Sequence, residues 1–415
     1  MAEVTSIRAY ALVTAAYWGF TVTDGALRML VVLHFYQLGY SDIAIGFLFL
    51  FYEFFGIVTN LFGGWIASRS GLRVTLYGGL VVQIFALVML ALLQPGWPEV
   101  LSVAYVMCAQ ALSGIAKDLT KMSAKSAIKV IVPDGQDSAL FKWVARLTGS
   151  KNALKGVGFF VGGVLLSALG FAGALYAMSA SLVLVLVGTM LSLSGSLGKS
   201  RKKVKFTSLF SKSPAINWLS LARLFLFASR DVWFVVGLPV FLSGLGLSFM
   251  QVGGFLALWV IGYGIVQAAV PRLLRLFGAS QGVTGTLARN WAFALLLLPL
   301  LMIAALTSHF PPLPTVTIGL TIFAVVFAVN STVHSYLVLA YADADTVSVD
   351  VGFYYMANAG GRLLGTLLSG LLYEYSGFTG CLIGSAVMVV VSGLAAFKLP
   401  RDRAASLAHA IPASD

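Results

Sequence analysis

Twelve runs of predominantly apolar residues follow one another along the chain. Each reaches the roughly 20 residues a helix needs to cross a bilayer while satisfying every backbone amide within itself. The spans read as 9 to 37, 42 to 67, 74 to 94, 99 to 124, 143 to 168, 172 to 196, 215 to 243, 249 to 273, 288 to 308, 314 to 340, 350 to 374 and 378 to 397. With 59% hydrophobic and 10% charged residues among 415, and a mean hydropathy of +0.93, the chain lies outside what a soluble domain reaches. The expected fold class is an all-α integral membrane protein of twelve transmembrane helices. The first run is too long for a signal-peptide core and eleven more follow it, so it reads as a membrane helix.

Basic residues in short connections are retained on the cytoplasmic side. On one side lie Arg8, Arg69, Arg73, Lys129, Lys142, the cluster Lys199, Arg201, Lys202, Lys203, Lys205 and Lys212, then Arg272, Arg275, Arg289, Lys398, Arg401 and Arg403. The opposite connections carry only Asp42, Glu99 and Glu374. Both termini are therefore expected in the cytoplasm. Much of the net charge of +12 serves this topology, and no soluble basic domain is left to bind nucleic acid. Cys108 and Cys381 both fall within helices and read as packing residues rather than ligands. No Walker loop or dinucleotide motif is present, and no cofactor or metal is expected.

The longest polar connection separates spans six and seven. It suggests a bundle over 1–196, a basic cytoplasmic linker over 197–213, a second bundle over 214–397 and a cytoplasmic tail over 398–415. Sliding one half onto the other at an offset of 207 aligns Asp24 with Asp231, Gly39 with Gly246, Ser41 with Ser248, Gly46 with Gly253 and Gly71 with Gly278. The same offset aligns Lys155 with Arg362, Gly158 with Gly365, Gly163 with Gly370, Gly170 with Gly377, Phe171 with Phe378 and Gly173 with Gly380. Parallel six-helix repeats are the plan of major facilitator transporters, whose substrates bind near mid-membrane. The segment Gly64-Trp-Ile-Ala-Ser68-Arg69-Ser-Gly71-Leu-Arg73 resembles that superfamily's Gly-x-x-x-Asp-Arg-x-Gly-x-Arg signature, with Ser68 where the family has Asp.

Charges inside the membrane are costly and point to function. The spans contain Arg28, Lys117, Lys121, Lys151, Lys155, Arg223, Arg230 and Arg362 against Asp24, Glu53, Asp118 and Asp231, a positive surplus that predicts an anionic ligand. Lys117 with Lys121, Lys151 with Lys155, and Asn358 with Arg362 are each four apart and share helix faces. Lys155 and Arg362, at matching depth and without an acid at helical spacing, are the leading candidates to grip one ligand. Arg fits phosphate or carboxylate as a planar fork, while Lys supplies a mobile point charge. A structural reading stands beside each assignment: Asp24 with Arg28 at i, i+4, Arg230 and Asp231 with neighbouring helices, Asp118 offsetting Lys121, and Arg223 snorkelling to the interface. Glu53 reads either as a proton carrier or as a helix-to-helix hydrogen bond. Tyr17, Trp18, Asn330 and His334 are candidate path-lining or packing residues.

Several segments resemble the organoarsenical efflux permease family ArsJ. They are Thr23-Asp-Gly-Ala-Leu-Arg-Met-Leu-Val-Val-Leu-His34, Phe51-Tyr-Glu-Phe-Phe-Gly56, Ala111-Leu-Ser-Gly-Ile-Ala-Lys-Asp118, Thr148-Gly-Ser-Lys-Asn-Ala-Leu-Lys-Gly-Val-Gly-Phe-Phe160 and Ser229-Arg-Asp-Val-Trp-Phe-Val-Val236. The resemblance implies export of 1-arseno-3-phosphoglycerate, made by a glyceraldehyde-3-phosphate dehydrogenase when arsenate replaces phosphate; a monomer in a bacterial inner membrane is expected. Export of another organic anion, such as a sugar phosphate or a drug, remains the alternative at this stage.

Overall fold

A computed structural model describes residues 2–40, 45, 48–132, 135–193, 213–247, 249–276, 283–342 and 347–400. Ser41, Asp42, Gly46, Ser248, Gly278, Arg401 and Arg403 lie outside the described residues, as does the basic connection from Lys199 to Lys212. The described residues form helices without strands: α1 (Ala2–Gln37), α2 (Leu50–Ser70), α3 (Leu72–Ala91) and α4 (Glu99–Ile131). Next come α5 and α6, merged as Asp137–Ser192, and α7 (Pro214–Gly244), made of the pieces Pro214–Phe234 and Gly237–Gly244. Then follow α8 (Phe249–Leu276), α9 (Gly285–Thr307), α10 (Pro312–Tyr341), and α11 and α12, merged as Val347–Ala396.

Among the described residues, nine helices have the length and apolarity of a membrane span. Two of these contain 56 and 50 residues. A straight helix of that size runs well over twice the hydrocarbon thickness of about 30 Å. Each is broken at one glycine, Gly170 (φ 68°, ψ −178°) and Gly377 (φ 60°, ψ −158°), where the chain turns back. Splitting both and adding the 36-residue α1 gives twelve. The two breaks fall in the short gaps the apolar pattern leaves between spans five and six and between eleven and twelve. Helices α4 and α5 run several residues past their apolar spans, because hydropathy sees only the part of a helix that faces hydrocarbon.

The duplicated plan is visible in backbone geometry. Gly170 and Gly377 are equivalent at the offset of 207, and so are Gly39 (φ 82°) and Gly246 (φ 90°). Gly158 and Gly365, another equivalent pair, sit at helix crossings so close that a Cβ would meet the backbone of Val22, Gly25 and Ala26 in one half and of Ala228 in the other. Small residues let membrane helices approach in this way. These crossings, α1 with α5 and α7 with α11, set the spacing of the charged residues described below.

The chain divides into two compact units. The first comprises Met1–Gln136, Ser150–Leu209 and Asp343–Met356, the second Asp137–Gly149, Phe210–Ala342 and Ala357–Asp415. The exchanged segments 137–149 and 343–356 correspond, within one residue, at the repeat offset. In the first unit Gly64 of α2 lies against Ser348 and Gly352 of α11, and in the second Gly149 of α5 lies against Gly264 and Ala268 of α8. The core of the second unit is aromatic, with Trp233 edge-on to Trp259 at 5.7 Å and to Phe323 at 5.2 Å. Where α7 is interrupted, the backbone amides of Val236 and Gly237 donate to Ser369 Oγ at 3.3 and 3.1 Å. Large apolar side chains such as Leu184 and Leu191 are 75% and 83% exposed, a liability in water and the expected surface in lipid.

The Gly170 and Gly377 conformations belong to a region essentially restricted to glycine, and nothing lies within 4 Å of a Cβ placed at either. Gly170→Ala and Gly377→Ala are therefore expected to destabilise by about 1–3 kcal/mol through backbone strain alone. Gly188→Ala, at a helical glycine with equal space, is expected to leave stability unchanged or raised. Thermal unfolding of the three detergent-purified variants checks this, and equal midpoints would show that the breaks do not require glycine.

Candidate functional site

Two networks of charged side chains, one in each compact unit, contain most of the intramembrane charged residues singled out by sequence. In the first unit the close crossing of α1 and α5 places Lys155 Nζ 3.5 Å from Asp24 Oδ2. Tyr52 Oη of α2 donates to Asp24 Oδ1 at 2.5 Å. Lys117 Nζ of α4 stands 3.8 Å from the centroid of the same Tyr52 ring, and the Arg28 guanidinium lies 5.4 Å from it. Tyr52 thus offers its hydroxyl to a carboxylate and its ring to two cations, a geometry worth about 0.5–2 kcal/mol per cation.

Around this centre Arg28 pairs with Glu53 at 3.3 Å, and the Asp118 carboxylate takes Lys117 at 3.7 Å and Lys121. Gly56, one turn after Tyr52, leaves the room that Asp118 occupies. Lys121 Nζ also lies 4.4 Å from the ring centroid of Tyr355. Lys151 sits partly buried on α5, one turn before Lys155. Tyr17 is buried on α1, two turns before Asp24, within electrostatic reach of Asp24, Asp118 and Tyr355.

In the second unit Asp231 is the equivalent carboxylate. Arg230 Nε donates to its Oδ1 at 2.6 Å, and Arg362 Nε of α11 reaches its Oδ2 at 3.3 Å. The pair Asp231–Arg362 repeats Asp24–Lys155 at the same offset of 207 on both sides. The Arg230 guanidinium also lies among the rings of Phe227, Phe327 and Phe234 at 4.9, 5.6 and 5.7 Å. Arg223, 2% exposed, donates from Nε to Asn358 Oδ1 at 2.8 Å and from an Nη to the Ser331 carbonyl and hydroxyl, both at 3.0 Å. Tyr263 and Gln267 of α8 converge on the same Ser331 Oγ at 3.1 and 3.3 Å.

On α10, Asn330, His334 and Ser335 are 0% exposed. Neither the Asn330 amide, the His334 ring nor the Ser335 hydroxyl finds a hydrogen-bond partner among the described residues. An unsatisfied buried polar group costs about 1–3 kcal/mol. Among the described residues no three His, Cys, Asp or Glu side chains converge on a metal position.

Several expectations change at tertiary distance. Asp24 and Arg28 do not pair along their helix: both Asp24 oxygens are engaged by Tyr52 and Lys155, and Arg28 turns to Glu53. Lys155 and Arg362 each have an acid, supplied by a neighbouring helix where helical spacing along their own chain shows none. Arg223 does not snorkel, because α10 and α11 satisfy its guanidinium inside the bundle. Three further participants went unread. Tyr52 had as signals its adjacency to Glu53 and its place in the resembling segment Phe51–Gly56, and Ser331 had none. Lys125, 3% exposed, continues the ladder of Lys117 and Lys121 one residue beyond the apolar run. At the signature loop Ser68 Oγ turns back to the Trp65 carbonyl at 2.7 Å, while Arg69 and Arg73 lie over Trp65 and Tyr77 at 4.7 and 5.3 Å.

Residues 9–337 match the family described as the Major Facilitator Superfamily. No match to a curated protein was found. Among solved structures, a bacterial homologue of the iron transporter ferroportin in an outward-facing state is 15% identical, with a TM-score of 0.73 over 94% of this chain and 98% of that one. The human organic anion transporter MFSD10 (TETRAN) is 16% identical, with a TM-score of 0.69 over 94% and 99%. The proton:xylose symporter XylE is 15% identical, with a TM-score of 0.70 over 94% and 95%. Likeness at these identities speaks for the fold.

The equivalent pairs Asp24–Lys155 and Asp231–Arg362 are open to double-mutant cycles. Asp24→Asn and Lys155→Met are each expected to lower the thermal midpoint by leaving one buried charge uncompensated, and the double variant to recover part of the loss, with a coupling of about 0.5–3 kcal/mol. The same result is expected for Asp231→Asn with Arg362→Met. Strictly additive losses in both cycles would show that neither contact is an energetic pair.

Proposed function

The chain belongs to the Major Facilitator Superfamily and is a membrane-spanning transporter, and on that premise we propose that it exports a small phosphorylated organic anion, 1-arseno-3-phosphoglycerate, conferring resistance to arsenate. The observation that carries the reading is the basic surplus around two repeat-equivalent ion pairs, Asp24–Lys155 and Asp231–Arg362. Among the described residues the buried Lys125 and Asp350 add one charge of each sign, so the surplus read from the sequence is unchanged. The resemblance to the ArsJ family supplies the identity of the anion, and the segments that carry it contain Asp24, Arg28, Glu53, Lys117, Asp118, Lys151, Lys155, Arg230 and Asp231.

In the mechanism, Asp24 and Asp231 serve as resident counter-anions. A phosphate or arsenate oxygen arriving in either half competes with the carboxylate for Lys155 or for Arg362. Arg28, Lys117, Lys121, Lys151, Arg230 and Asn358 complete the binding set, and Arg362 offers the fork that suits a tetrahedral oxyanion. Glu53 and Asp118 hold neighbouring cations in place, while Tyr17, Asn330 and His334 line the path. Transport then alternates access by movement of residues 1–196 against 214–397, joined by the linker 197–213. At Gly64 and Gly149 the helices approach at backbone distance, the small-residue contact that lets helices slide on one another.

In this reading the protein works as a monomer in the bacterial inner membrane, with the basic connections, both termini and the 398–415 tail in the cytoplasm. Its substrate is supplied by a glyceraldehyde-3-phosphate dehydrogenase acting with arsenate. The same surplus also serves a second reading, export or exchange of another organic anion such as a sugar phosphate or a drug, and the fold neighbour described as an organic anion transporter keeps that reading open.

Everted membrane vesicles, with the adduct generated in the bath by the dehydrogenase and arsenate, test the proposal. Accumulation above vesicles lacking the protein is expected, and Lys155→Ala and Arg362→Ala are each expected to reduce it roughly tenfold or more, as loss of a charge-assisted contact implies. No accumulation above the control would sink the arsenical reading, and accumulation of another organophosphate in its place would establish the alternative.

A further inference from the structure

The face of α10 that carries Asn330 and His334 is polar where its neighbours are not. One and two turns earlier Phe327 and Phe323 pack into the aromatic core with ring centroids 5.7 Å apart. From residue 330 the face changes to Asn330, Ser331, His334 and Ser335, all 0% exposed. Among the described residues, Ser331 alone of the four is bonded beyond its own helix, to Arg223, Tyr263 and Gln267. The Asn330 Oδ1 and Nδ2, both His334 ring nitrogens and the Ser335 hydroxyl remain without a protein partner among the described residues. These are five atoms within six residues of one helix. Apolar residues of similar volume would fill the same space without that desolvation cost, so the polar groups are kept for an occupant.

The donor and acceptor balance names the occupant's chemistry. A neutral imidazole offers one donor and one acceptor, and an asparagine amide offers both kinds side by side. A bare oxyanion only accepts, and would leave Asn330 Oδ1 and one His334 nitrogen unsatisfied. A carbon-borne hydroxyl both accepts and donates, so it supplies the donor that a bare oxyanion lacks. Arg223, bonded to Ser331 beside this face and acting electrostatically on the His334 ring, supplies a cation for an acidic group on the same molecule.

We propose that Asn330 and His334, with Arg223 beside them, form a hydroxyl-reading subsite within the second compact unit that selects hydroxylated organic phosphates over bare or deoxygenated anions. The inference rests on the anion-transport reading and deepens it. All of its residues lie within one unit, on α7, α8, α10 and α11. Their complete burial belongs to the conformation described, and alternating access brings this face to the transport path. The subsite makes substrate choice depend on a neutral group, which the positive surplus alone cannot do.

Two probes that differ by one hydroxyl test it: 3-phosphoglycerate and 3-phosphooxypropionate, titrated calorimetrically into the detergent-purified full chain. The wild type is expected to bind the hydroxylated probe about tenfold more tightly or better, because a polar site rejects a ligand that cannot pair with it. Asn330→Leu with His334→Phe is expected to bring the ratio to about one with the thermal midpoint unchanged or raised, since orphaned polar groups have been removed. His334→Gln, which keeps a donor and an acceptor, is expected to retain the preference and serves as the folded comparison. A ratio that survives the double substitution overturns the subsite, as does a wild type that binds both probes equally, and anion transport then stands without it. A double variant that fails to fold while His334→Gln folds and retains the preference supports the subsite; a folded His334→Gln that loses the preference overturns it, and a His334→Gln that also fails to fold assigns the face a structural role and overturns it. A wild type that binds neither probe overturns the anion reading itself.

Discussion

A charge held among apolar helices costs about 2.5–3.5 kcal/mol on insertion scales, more than most single packing contacts return. The charged interior of this protein is therefore organised by what neutralises it. Asp24 and Asp231 do most of that work from equivalent positions in the two halves, each holding a cation presented by the fifth helix of its own half, Lys155 or Arg362. Because the carboxylates are fewer than the cations, each is shared. Asp24 also receives Tyr52, and Asp231 also receives Arg230. Aromatic rings take up part of the remainder, with Tyr52 under Lys117 and the Phe227, Phe234 and Phe327 rings around Arg230.

This arrangement depends on close helix approach. Gly158 and Gly365 allow α5 onto α1 and α11 onto α7 at backbone distance, and a side chain there would push Lys155 from Asp24 and Arg362 from Asp231. The breaks at Gly170 and Gly377 have the complementary role of returning the chain across the membrane with no added loop. The duplication is thus written in three kinds of feature at one register: glycines that turn, glycines that touch, and acids that neutralise. Departures from that register are informative too. Asn358 stands where the other half has Lys151, and there its amide oxygen accepts from Arg223.

Much of this was legible before any tertiary contact was known. The breaks between α5 and α6 and between α11 and α12 follow from apolar runs too long for one span. The acids and cations inside the bundle follow from ionisable residues in otherwise apolar stretches. Pairing was not legible, because an i, i+4 rule looks along one helix while these partners come from neighbours. The structural reading of Arg28 paired it with Asp24, and it is found with Glu53; that of Arg223 took it to the interface, and it is found inside the bundle bonded to Ser331. Nothing in the charge pattern marks Tyr52, Ser331 or Lys125, because a tyrosine or a serine is common in a membrane helix, and a lysine at a helix end ordinarily reaches for water.

The sequence by itself determined the twelve apolar crossings, the two-fold duplication and the excess of positive charge, since each is a property of residue order and spacing along one chain. Only the tertiary structure decided which charge neutralises which, and which polar side chains on α10 are left without a partner. Those outcomes depend on how closely neighbouring helices cross, and the crossing distance is fixed by glycines whose contacts lie more than a hundred residues away in the chain.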